Sequence, residues 1–338
     1  MKSMLGVRGV VMMVALFAFA ATAAWSQQPM EKATAKTAPH DYPTKSIRLI
    51  DPFQSGGGSW VVARLIGQKL FEIWGQSVVV DNRGGASGAI GSELAARATP
   101  DGYTLLMATA STMVTNPLLS KVPFDPVKDF APVVYTTLIP LIVVVHPAVP
   151  AKSVKELVSL ARSQPGKLNY ASAGGGTISH LAGELFKATA GVSMLHVPYK
   201  GGGPAIIELV GGQVQLQFGN MLIALPHVKT GRLRGLAVTG ARRTSVIPDM
   251  PTVSEAGVAG YEVVQWHGVL APAGTPREII IKLNREINSI LSLTEVRARL
   301  LSGGAEPHGG TPEQFGDHIK KDIAKWARVI KDAGIPPN

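Results

Sequence analysis

Residues 46–74, Ser-Ile-Arg-Leu-Ile-Asp-Pro-Phe-Gln-Ser-Gly-Gly-Gly-Ser-Trp-Val-Val-Ala-Arg-Leu-Ile-Gly-Gln-Lys-Leu-Phe-Glu-Ile-Trp, decide the fold. The β-branched start, residues 46–50, predicts a strand. Residues 59–74 carry Val62, Leu65, Ile66, Leu70 and Ile73 at helical spacing. A strand passing to a helix through three glycines is the opening of a βα unit. Glycine at the turn lets backbone approach a ligand, and a helix N-terminus offers unpaired N–H groups and partial positive charge to an anion. No Lys follows Gly58, so the turn is not a phosphate-binding P-loop. Val61 stands where a dinucleotide fingerprint needs its third glycine.

The same alternation continues along the chain. Strands are predicted at 77–80, 103–108, 141–145, 168–172, 193–197, 216–218, 233–239 and 269–272. Helices are predicted at 88–97, from Ser153 with Glu156 at capping-box spacing, and at 179–190, 205–210, 223–230, 276–291 and 312–333. This is an α/β chain with mixed, mostly parallel sheets flanked by helices. A second glycine turn, Ser172-Ala173-Gly174-Gly175-Gly176-Thr177-Ile178-Ser179-His180, again joins a strand to a helix, with Thr177 or Ser179 able to cap. Ser179 replaces the third fingerprint glycine there too. After the strand at 103–108, the hydroxyls of Thr109, Ser111, Thr112 and Thr115 and the amide of Asn116 can orient carboxylate oxygens without charge. Tyr199 and Lys200 precede a third triplet, Gly201-Gly202-Gly203.

Composition removes other classes. There is no cysteine among the 338 residues, which excludes disulfides, thiol catalysis and Cys-ligated zinc. No G-x-S-x-G elbow and no H-E-x-x-H occurs, and the glycine loops are poor in Asp and Glu, so the pattern binds an anion and withholds catalytic groups. The net charge of +10 is dispersed, with its densest cluster at Arg232, Arg234, Arg242 and Arg243; it suits anion steering better than nucleic acid. Lys2 and Arg8, then the apolar run 10–20, then small residues near Ala23 and Ser26 read as a signal peptide over 1–26. A polar leader is expected over 27–41, and export implies a periplasmic protein.

From Tyr42 onward the chain resembles the periplasmic receptors of tripartite tricarboxylate transporters, the Bug family. The stretches that carry the resemblance include Tyr42-Pro43, Pro52-Phe53, Gly57-Gly58, Val61-Val62-Ala63-Arg64, Asn82-Arg83-Gly84-Gly85-Ala86-Ser87-Gly88 and Pro100-Asp101-Gly102-Tyr103-Thr104-Leu105-Leu106. Leu168-Asn169-Tyr170-Ala171-Ser172, His196-Val197-Pro198-Tyr199-Lys200-Gly201, Leu270-Ala271-Pro272-Ala273-Gly274-Thr275-Pro276 and Gly310-Thr311-Pro312-Glu313-Gln314-Phe315 continue it in order.

The resemblance implies a two-lobed, periplasmic-binding-protein-like (type II) fold with the ligand at the hinge. Lobe 1 would be residues 42–145 plus 266–338, and lobe 2 residues 146–265. It implies no cofactor, no metal, a small carboxylate ligand, and a two-component membrane permease as partner. A monomer is expected, and a receptor serving a sensor kinase or lacking a permease is the alternative. Carried onto this chain, ligand contacts fall to Phe53, Gly57, Gly58, Ser59, Thr109, Ser111, Ser172, Gly174, Gly176 and Thr177, with Tyr199, Gly219 and Asn220 beside them. Three positions depart from the pattern: Trp60 and Gly219 stand where the family usually has Asp, and Asp51 where an aliphatic residue is common. Without those carboxylates an amino-acid ligand is disfavoured, and an aromatic or other non-amino dicarboxylate is favoured. Trp60 could stack on a ring or methylene chain, pack between helix and loop, or block the cleft.

Overall fold

The computed structural model describes residues 41–337. The expected signal peptide, and the leader apart from Asp41, lie outside these residues. β1 (Ile47–Asp51), β2 (Val78–Asn82) and β3 (Thr104–Thr109) are parallel, in the order β2-β1-β3. β9 (Val264–Pro272) then lies antiparallel between β3 and β4 (Phe130–Val145). Beyond β4 come β7 (Leu216–Asn220), β5 (Asn169–Ser172) and β6 (Leu195–Pro198), while β8 (Arg234–Val238) and β10 (Glu306–Pro307) also pair with β4. This is the mixed sheet of a two-lobed binding-protein fold.

Helices α1 (Gly58–Trp74), α2 (Ala89–Ala96), α3 (Asn116–Leu119), α4 (Val154–Ser163), α5 (Ile178–Ala190), α6 (Gly202–Val210) and α7 (Met221–Lys229) follow the strands. α8 (Arg277–Ser292), α9 (Thr294–Ser302) and α10 (Pro312–Asp332) close the chain. They cover both sheet faces. Leu49, Leu105 and Met107 join one apolar cluster, and their neighbours Ile50, Leu106 and Ala108 join the other. Burial on both sides is why these strands read as continuous apolar runs rather than alternations. Among the described residues no helix is long and apolar enough to cross a membrane.

β4 holds the two half-sheets together. Residues 130–140 pair with β9, and residues 141–145 pair with β7 and β8. The spacing predicted only 141–145 as strand, because Pro132 and Pro140 interrupt the pattern; a proline is tolerated in a strand where the ladder shifts or ends. Pairing is irregular just after Pro132, and Pro140 is the last partner of β9 before the change. The transfer between half-sheets thus falls at Pro140–Leu141, five residues before the boundary expected at 145, and its return is at Val264, two before 266. The short α3, α9 and β10 carry too few periodic positions to be anticipated.

Trp266 on β9 pins this crossing. It is 1% exposed, packs edge-on against Tyr135 and Phe315, and donates its indole N–H to Asp322 on α10 at 2.8 Å. Trp266→Ala is expected to lower unfolding free energy by about 3–5 kcal/mol, with an unchanged denaturant slope, in urea titrations.

Candidate functional site

A small enclosed cavity of about 40 Å³ lies where the two half-sheets meet. Four helix N-termini converge on it. α1 contributes Gly57, Gly58 and Ser59, with Phe53 from the preceding turn; α5 contributes Ile178 and Ser179; α6 contributes Gly202; Asn220 caps α7. Ser111, Ala173, Gln217, Phe218 and Gln265 complete the lining, which contains no charged side chain. Thr177 and Asn220 cap their helices with their own side chains, accepting from His180 N and Leu222 N. α1 and α6 are capped by Gly57 and Gly201, with no side-chain hydrogen bond, so their first N–H groups are left for another acceptor.

Glycine is required at the contact between the lobes. A β-carbon on Gly58 would lie 2.5 Å from Asn220 Cγ, and one on Gly203 would lie 2.6 Å from the Ser55 carbonyl oxygen. Hydrogen bonds cross the same gap. Gln54 N–H donates to the Lys200 carbonyl (3.2 Å), Ile178 N–H to Ser111 Oγ (3.0 Å), and the Thr115 hydroxyl to the Gly176 carbonyl (2.6 Å). Asn220 Nδ2 donates to Gln265 Oε1 at 3.1 Å.

Of the residues expected in the site, Phe53, Gly57, Gly58, Ser59, Ser111 and Asn220 line the cavity. The others do not, and their positions explain why. Thr109 turns its hydroxyl to Thr112 N, closing the bend after β3. Ser172 Oγ is held by the Gly174 backbone and by His196 Nε2 at 2.6 Å. Gly174 (φ +136°) and Gly176 (φ +81°) shape the second turn, and the Thr177 hydroxyl donates to the Gly174 carbonyl. Tyr199 ties β6 to β5 through its N–H on the Ser172 carbonyl, and Gly219 sits against Ala224. Trp60 is also outside the lining: Arg64, one turn on, places its guanidinium 5.7 Å from the ring centre.

Gln217 and Gln265 were not singled out by the sequence, and Ser179 was read as a helix cap and not as part of the lining. The available signal was a polar residue within a buried strand, since Gln217 is 1% exposed and its Oε1 has no hydrogen-bond partner. The nearby histidines are neutral. Burial pushes His267 down to about 3, and burial followed by the neighbouring His180 pushes His196 down to about 4. Among the described residues no group of three or more His, Asp or Glu could hold a metal ion.

Fold and cavity together define a two-lobed solute-binding receptor. Residues 62–335 match the family described as "Tripartite tricarboxylate transporter family receptor", TctC. A Rhodopseudomonas palustris protein, Rpa4515 with adipate, is 40% identical with a TM-score of 0.86, covering 88% of this chain and all of that one. The periplasmic binding protein BugD is 34% identical with a TM-score of 0.84, covering 87% of this chain and 99% of its own. MatC from the same Rhodopseudomonas species, with bound malate, is 32% identical with a TM-score of 0.82, covering 86% and 100%. The chain belongs to the tripartite tricarboxylate transporter receptor (Bug) family, whose members are periplasmic solute-binding receptors and not enzymes.

Asp51 is fully buried behind Ser59, and burial pushes it up to about 7, against bonds from Ser59, the Phe53 backbone and Asn82 that favour the anion. A carboxyl whose folded pKa is raised contributes stability that is full below its unfolded value and is lost as pH rises through the folded one. Asp51→Asn is therefore expected to gain stability over the native chain as pH rises from about 4 to 7, reaching about 4 kcal/mol by pH 8. Urea titrations across that range check it; a difference constant with pH would contradict it.

Proposed function

We propose that this chain is an exported receptor that captures a small, non-amino dicarboxylate between its lobes and delivers it to a two-component membrane permease. The observation that carries this reading is the convergence of four helix N-termini on a lining without charged side chains. Each helix end favours an anion by about 0.3–1 kcal/mol at the surface, and up to ~2 kcal/mol when partly buried. Four ends supply several of the about 8 kcal/mol that a micromolar complex needs, and hydrogen bonds from backbone and hydroxyls supply the rest.

Adipate and malate, bound by two relatives of this chain, set the size class. The lining supports excluding amino acids, because no Asp or Glu is there to meet an ammonium group. An aromatic ligand loses its main argument with Trp60 outside the lining; Phe53 and Phe218 are the apolar groups available to a carbon chain. At about 40 Å³ the cavity has room for little beyond a water molecule, so a four- to six-carbon acid enters by separation of the lobes. Residues 1–26 would be removed on export, which N-terminal sequencing of the periplasmic fraction checks.

Calorimetric titration with adipate, malate and glutamate tests the ligand class. Adipate or malate should bind, and glutamate should bind at least about 100-fold more weakly, since a buried ammonium without a partner is disfavoured by several kcal/mol. Tight glutamate binding would overturn the exclusion. Gly58→Ala should keep the fold but weaken adipate binding by at least about tenfold, because the added methyl meets Asn220 on closure. Adding Asn220→Ala should recover part of the loss; unchanged affinity in Gly58→Ala would contradict closure at this contact.

A further inference from the structure

Asp51 sits at the end of β1 with no exposed surface. The Ser59 hydroxyl donates to its Oδ1 at 2.8 Å, and Asn82 Nδ2 donates to its Oδ2 at 3.0 Å. Among the described residues, no cation answers the carboxylate from any element packed against it. On β2, Asp81 takes Arg48 at 2.6 Å and Arg83 at 3.0 Å. On α1, Arg64 lies over Trp60, while Lys69 pairs with Glu72 and Glu295. On α2, Glu93 pairs with Arg97, and β3 carries no charged residue. From the facing lobe, Lys200 is exposed and reaches the first turn through its carbonyl.

Ser59 has one hydroxyl hydrogen, and it lines the cavity. While Asp51 is ionised, that hydrogen is committed to Asp51, so Ser59 offers the cavity only lone pairs, which repel a carboxylate. With Asp51 protonated, the carboxyl donates to Ser59 Oγ, and the serine hydrogen is free to turn toward the cavity. The two protonation states therefore present opposite faces to a ligand across the same 2.8 Å contact.

We infer that Asp51 is a positioning residue that couples capture of a carboxylate to uptake of one proton. The proton moves from solvent to Asp51, the Ser59 hydrogen swings from Asp51 to the ligand oxygen, and no covalent bond of the ligand changes. This inference rests on the carboxylate reading of the cavity. The buried, uncompensated setting that pushes Asp51 up to about 7 places its ionisation where such coupling has effect. His180, His196, His227 and His267 are all held below the ordinary histidine value, chiefly by burial, so above pH 7.5 they are neutral and the carboxyl of Asp51 is the group near the cavity left to take a proton.

Calorimetry with adipate at pH 8 to 9, in phosphate and in Tris, reads the protons exchanged on binding from the difference in observed heat. The native chain should take up close to one proton per adipate and lose affinity about tenfold per pH unit over that range. Asp51→Asn, whose amide can donate to Ser59 and accept from Asn82 without ionising, should take up none and bind with the same affinity throughout. Adipate binding by the native chain without proton uptake would overturn the coupling whatever the variant does, and would leave the carboxylate reading standing. Failure of adipate and malate to bind either protein at any pH would overturn that reading, and the coupling with it.

Discussion

A β-carbon at residue 58 would lie 2.5 Å from the Cγ of Asn220, so the two lobes can meet there only because one of them presents bare backbone. The rest of the site follows from that approach. Glycine at 57 and 58 brings the N-terminus of α1 against the cap of α7, and glycines 201 to 203 bring the N-terminus of α6 against the turn at 54 to 56. The half-sheets behind these turns are joined by β4 and β9, which fix how the turns face each other. A bulkier residue at the contact would hold the helix ends apart and leave each to water.

The electrostatic plan is one of neutrality at the centre and charge at the edge. The lining contributes amides, hydroxyls and helix ends. These dipoles are fixed by the fold, so they favour an anion without an ion pair whose desolvation would offset the gain. The nearby histidines are depressed by burial into the neutral form and add no competing cation. The net charge of +10 is dispersed along the sequence, a distribution suited to steering anions and not to binding them specifically. Asp51 is the exception, a carboxylate behind the lining with hydrogen bonds but no countercharge.

The α/β class was readable because both signals are local: the strand at 46–50 and the helical spacing through Ile73 need no tertiary context. The glycine turns were readable for the same reason, since a triplet between a strand and a helix marks where backbone can come close to a neighbour. What the sequence concealed depends on pairing. Pro140 reads as a break, yet it sits inside β4 where the strand exchanges one half-sheet for the other. Gln217 and Gln265 come to the cavity from two strands of different half-sheets, and only their register reveals that they share it. Trp60 is also a matter of packing, since its ring lies outside the cavity lining. Its position beside the glycines suggested the cleft, whereas Arg64, four residues later on α1, takes its ring.

The most direct measurement is a crystal structure of the protein saturated with the tightest-binding acid found by titration. One carboxylate of the ligand should lie between the N-termini of α1 and α6, within hydrogen-bond distance of backbone N–H groups at residues 58 and 202 and of the Ser59 hydroxyl. A ligand held instead by arginine or lysine side chains, or seated away from the lobe contact, would contradict the account.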